Sequence, residues 1–91
     1  MKPAFRLGRT LITPAALEYT KEHVISPTDL LDRHVMGDCG DMEQEDIFAN
    51  VDAITSGEGR IFSSYKVGPE KIWIITADDR SHTTIMLPSD Y

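Results

Sequence analysis

At 91 residues, with 41% hydrophobic and 26% charged residues, the chain has the make-up of one soluble globular domain spanning residues 1–91. No apolar run reaches the length of a membrane span, and no signal-peptide core follows Lys2, Arg6 and Arg9, so a cytoplasmic protein without membrane contact is expected. The single cysteine, Cys39, excludes an internal disulfide and a cysteine-based zinc knuckle.

Phe5 to Ile12 alternates in part with period two and reads as a strand, with Gly8 marking it as an edge. Thr13-Pro14 then opens a helix, threonine capping and proline at the first helical position, with Leu17, Thr20 and Val24 along one side. Ser26-Pro27-Thr28-Asp29 repeats the device as a capping box. Leu30, Leu31, His34 and Val35 form the inner stripe of this second helix, and Gly37 ends it. A third helix is predicted from Asp41, with Ile47, Phe48, Val51 and Ile54 inward and Gly57 as its stop.

Three strands follow. Arg60–Val67 and Lys71–Thr76 flank the turn Gly68-Pro69-Glu70 and read as an antiparallel hairpin, on which Tyr65 and Trp73 are expected to pack as neighbours. Thr83–Leu87 is the last strand, ended by Pro88. The predicted class is therefore α+β in the order β-α-α-α-β-β-β. Three short helices pack on one face of a small antiparallel sheet. Thr83–Leu87 has no evident edge protection, which leaves a homodimer open.

The net charge of −6 is uneven: residues 29–52 hold eight acids against Arg33 alone, a local charge of −7. That distribution argues against a nucleic-acid partner, which needs clustered bases, and suits a protein partner. The loop Ala77–His82 holds Asp78, Asp79, Arg80 and His82 between two apolar strands, where binding groups are often displayed. Arg80 is the cation expected to meet an acidic partner or a phosphate. A second cluster, Arg33, His34 and Asp38, lies across the end of the second helix. His34, Asp38 and Asp41 together would be the donors of a metal-assisted hydrolase or nuclease, although their spacing matches no metal motif. Read as structure, His34 is a half-buried helix residue. Cys39 sits between Asp38 and Asp41, which oppose thiolate formation, and Ser63 and Ser64 lie mid-strand without a nucleophile elbow. No catalytic set is assigned and no cofactor is expected.

Taken together, Leu31-Asp-Arg-His34, Gly37-Asp-Cys-Gly40, Asp46 with Asn50, Arg60-Ile-Phe-Ser-Ser-Tyr65, Ile72-Trp-Ile-Ile-Thr76, Asp79-Arg-Ser-His-Thr-Thr-Ile85 and Leu87-Pro88 span nearly the whole chain. In these blocks it resembles small uncharacterised bacterial "plasmid-related" proteins carried on plasmids and integrated mobile elements. The resemblance implies a mobile-element setting and brings no established activity. Relatives tend to have tryptophan in place of Cys39 and glutamate in place of Ala77, which implies that Cys39 fills an aromatic's space. The leading expectation is a non-catalytic protein that binds a partner protein through its acidic helical face and the 78–82 loop. The metal-assisted enzyme is the alternative, and an acidic DNA mimic a further one.

Overall fold

A computed structural model describes residues 3–91, so Lys2 of the basic N-terminal group lies outside the described residues. The elements are β1 (Arg9–Ile12), α1 (Pro14–Glu22), α2 (Pro27–Val35), α3 (Gln44–Ser56), β2 (Ile61–Val67), β3 (Glu70–Thr76), β4 (His82–Met86) and a 3-10 turn at Pro88–Asp90. The class is α+β in the predicted element order. The sheet order is β1-β4-β3-β2, with β2–β3 and β3–β4 antiparallel. The expectation of an antiparallel sheet is corrected at β1, which runs parallel to β4. Three helices and the hairpin separate β1 from β4, and a crossover of that length can bring the last strand back parallel to the first.

That insertion also removes the predicted open edge. β4 pairs on both sides, with β1 and with β3, so Thr83–Leu87 offers no edge for a second copy. The outer edge of β2 is closed as well. Ser64 N donates to the Cys39 carbonyl at 3.0 Å and Asp41 N to the Ser64 carbonyl at 2.8 Å. The buried amide of Asn50 straddles Phe62, its Nδ2 donating to the Phe62 carbonyl and its Oδ1 accepting from Phe62 N at 2.9 Å. Covered edges resist pairing with other chains.

Strand alternation divides the sheet. Tyr65, Val67, Ile72, Ile74 and Ile85 point to one face, where Ala16 of α1 and Leu30 of α2 cover them and Leu87 completes the core. Each large aliphatic buried there contributes roughly 2 kcal/mol. The cap of α1 forms as expected: Thr13 Oγ1 accepts from Ala16 N at 3.2 Å. The same hydroxyl donates to Asp90 Oδ2 at 2.7 Å, and Leu87 N donates to that oxygen at 3.0 Å, so the final turn ties α1 to the end of β4. On α1, Ala16 and Thr20 face the sheet, while Leu17 is exposed and Val24 lies beyond the helix end. Ser26 makes no side-chain cap bond, so the predicted capping box is absent.

The third helix departs most from expectation. It begins at Gln44, three residues after Asp41, and puts no side chain into the core under α1 and α2. Asn50 and Ala53 are its buried positions, and it lies along the β2 edge. Among the described residues no helix is long and apolar enough to cross a membrane.

Candidate functional site

The loop from Ala77 to His82 is a tight, hydrogen-bonded turn. Ala77 N donates to the His82 carbonyl at 3.0 Å and Arg80 N to the Ala77 carbonyl at 2.9 Å. Asp79 Oδ1 accepts from Ser81 N at 2.9 Å, the side-chain turn that aspartate makes readily. Hydrogen bonds from Ser81 hold the Asp79 carboxyl below its ordinary range. Arg80 sits at a left-handed φ of +60°, a conformation costly for a residue with a Cβ. Its guanidinium compensates. Nη1 donates to the carbonyls of Gly59, Ala77 and Asp78 at 2.7, 3.1 and 3.0 Å, and Nη2 to that of Ala53 at 2.9 Å. Arg80 is thus turned inward, and main-chain oxygens occupy the guanidinium that was expected to meet an acidic partner or a phosphate. It fastens the loop to the end of α3, leaving Asp78, Asp79 and His82 exposed.

Arg33 and Asp38 do meet. Arg33 Nε donates to Asp38 Oδ2 at 2.8 Å, and the guanidinium lies 4.5 Å from the Tyr65 ring centroid. This hydrogen bond lowers the Asp38 carboxyl and raises Arg33. Asp38 Oδ1 also accepts from Gly40 N at 3.1 Å, and the Tyr65 hydroxyl donates to the Asp38 carbonyl. Burial pushes that phenol up to about 12. Gly40 is required: its φ is +73°, and a Cβ would stand 2.3 Å from the Ser64 carbonyl oxygen. The segment after α2 is therefore a strap on the β2 edge, separate from the 78–82 loop, whose tether reaches Ala53 and Gly59.

His34 leaves this cluster altogether. It is 1% exposed, deeper than the half-buried position expected, and its ring faces the sheet. Nδ1 meets Ser63 Oγ, Nε2 meets Thr76 Oγ1 at 2.8 Å, and Thr76 meets Thr83 Oγ1 at 2.8 Å. Thr83 donates to the Leu7 carbonyl at 2.7 Å, and that oxygen can only accept. The proton order follows: Thr76 donates to Thr83, His34 Nε2–H donates to Thr76, and Ser63 donates to Nδ1. Desolvation lowers the imidazole to about 4, so the neutral ring is the folded form at neutral pH. Both nitrogens are occupied, and His34, Asp38 and Asp41 do not converge. Among the described residues no three His, Cys, Asp or Glu side chains are grouped to hold a metal ion.

The other face of the sheet carries what sequence reasoning missed. Ser64 pairs across the ladder with Trp73, while Tyr65 pairs with Ile72, so Tyr65 and Trp73 point to opposite faces and form no common patch. Phe62, Ser64 and Trp73 floor a groove of about 780 Å³, walled on one side by Asp41, Met42, Glu43, Asp46, Ala49 and Asn50. Trp73 meets Phe62 edge-on at 4.9 Å and Tyr91 at 5.8 Å. Ser64 is 3% exposed, yet its Oγ has no hydrogen-bond partner among the described residues. Outside the groove, Phe48 and Val51 of α3 are 63% and 55% exposed, against the expectation that both face inward. The available signal was Asn50. An amide between apolar helix positions marks the buried side when it has backbone to grip, and it turns the large residues outward.

Compared with protein-family models, with curated proteins and with solved structures, the chain has no match.

Proposed function

We propose that the chain is a non-catalytic binding protein that docks on a basic, partly apolar segment of a partner protein through the outer face of α3 and the adjoining 78–82 loop. The observation that carries this reading is the pair Phe48 and Val51, exposed on a helix whose neighbouring solvent positions include Glu45 and Asp52. Large apolar side chains left in water beside acids mark an interaction patch with a preferred charge of partner. Arg80 makes the loop part of the same unit, because it bonds the Ala53 carbonyl of α3. Asp78 and Asp79 thereby extend the acidic surface past the end of the helix. Phe48 and Val51 favour a protein partner over mimicry of DNA, which calls for carboxylates alone. A mobile-element origin, carried by the resemblance of the sequence blocks, belongs to the same proposal.

The test is capture from source cells with the wild type and with the double variant Phe48→Ser, Val51→Ser. Both positions are exposed, so thermal unfolding should be preserved. A partner retained by the wild type and lost with the variant is the expected result. Recovery of the same proteins with both would remove the α3 face from the proposal.

A further inference from the structure

The groove on the second face of the sheet combines observations that docking through α3 does not use. Ser64 Oγ is buried and has no partner among the described residues, and its side chain points with Phe62 toward the groove. Buried hydroxyls are nearly always bonded, so an unpaired one calls for a reason, and a ligand that completes it is one. Charge then selects the ligand. Asp41, Glu43, Asp46 and Glu70 line the groove against Arg60 and Lys71. Arg60 is already committed, with Nη1 donating to the Tyr91 hydroxyl at 2.7 Å and its guanidinium 5.9 Å from that ring's centroid. Asp41 stands next to Ser64, since its amide donates to the Ser64 carbonyl at 2.8 Å. Adjacent in backbone, Ser64 with its neutral acceptor and Asp41 with its carboxylate both line the groove, with Phe62 and Trp73 as an apolar floor.

We propose that this groove is a binding site for a small organic cation, a primary ammonium group carried on an apolar or aromatic body. The ammonium donates to Ser64 Oγ and to the Asp41 carboxylate. The body lies over Phe62 and Trp73, whose π faces also attract the positive charge. A space of about 780 Å³ is of the size that small-molecule ligands occupy. An anion would face four carboxylates against two cations, of which Arg60 is already engaged by Tyr91. This site does not depend on the α3 docking surface, and the two are separable by experiment.

Trp73 is the single tryptophan, so its emission reports on the groove floor. Phenethylamine serves as the probe, with N-acetylphenethylamine as its uncharged counterpart. The amine should give a saturable change in Trp73 emission and the acetylated compound none. Asp41→Asn and Ser64→Ala should each weaken the amine by about tenfold or more while unfolding at the wild-type temperature. The Phe48→Ser, Val51→Ser variant should bind the amine as the wild type does. Equal binding of the acetylated compound, no saturable response to the amine, or unchanged affinity in either groove variant would overturn the proposal.

Discussion

Ser63 and Ser64 are consecutive residues of β2, 1% and 3% exposed, and they face opposite sides of the sheet. Ser63 gives its proton to His34 and belongs to a hydrogen-bonded chain that ends on the Leu7 carbonyl. Ser64 has no partner among the described residues and lies under an acidic, aromatic-floored groove. Burial is equal and the chemistry is the same, so the difference lies in what each face was given to pack against. The first face has α1 and α2 above it, and its buried side chains Thr20, His34, Ser63, Thr76 and Thr83 are all hydrogen-bonded. The second carries a groove, and polarity there is left to be completed from outside. A satisfied polar interior holds the fold together, whereas an incomplete one marks where a ligand belongs.

The sharpest way to break this contrast is to remove the hub of the satisfied side. His34→Ala leaves Ser63 and Thr76 without their partner and opens a cavity, and should cost about 4 kcal/mol in urea unfolding. A cost under about 1 kcal/mol would mean that the network is ornamental. Acid probes the same residue without mutation. The folded ring titrates at about 4 against 6.5 for the unfolded chain, so the unfolded state takes up the proton first as pH falls. The contribution is whole above about pH 6.5 and is lost progressively down to about pH 4, amounting to about 3 kcal/mol. Because His34→Gln carries no charge at any pH, the difference between its stability profile and that of the wild type isolates this loss from the carboxylates.

Arg80 extends the satisfied class to the surface. Its guanidinium bonds four carbonyls, so Arg80→Ala should destabilise by about 2 kcal/mol through unmade hydrogen bonds and a left-handed alanine. Chemical unfolding reads this, and a change under about 0.5 kcal/mol would reassign the residue to ligand contact.

What the sequence made legible follows the range of the forces involved. The element order, the Thr13 cap and the Gly57 stop depend on neighbours within one turn, and they read directly from residue type. The parallel pairing of β1 with β4 depends on partners more than seventy residues apart, and no local pattern records it. The 78–82 loop was visible as a displayed bend, but the inward turn of Arg80 required the position of the Ala53 and Gly59 carbonyls. His34 sat on the predicted inner stripe of α2, yet its depth and its proton order arise from Ser63 and Thr76 across the sheet. Phe48 and Val51 obeyed helical spacing and still faced outward, because Asn50 found the Phe62 backbone and fixed the rotation of α3. The groove was the least legible of all. Ser64 reads as one of two equivalent mid-strand serines until strand parity assigns each to a face.

The finest test of the comparison is the pair of alanine variants at those two positions. Ser63→Ala removes the donor to His34 Nδ1 and leaves a buried acceptor unpaired, so it should cost about 1.5 kcal/mol. Ser64→Ala removes a hydroxyl that has no partner among the described residues and was desolvated to get there. Its stability change should fall within about 0.5 kcal/mol of zero, on the stabilising side. Equal losses at both sites would mean that Ser64 has a partner in solution, and the groove would then have no unpaired hydroxyl with which to recognise a ligand. A loss at Ser63 alone separates a residue kept for the fold from its neighbour kept for binding.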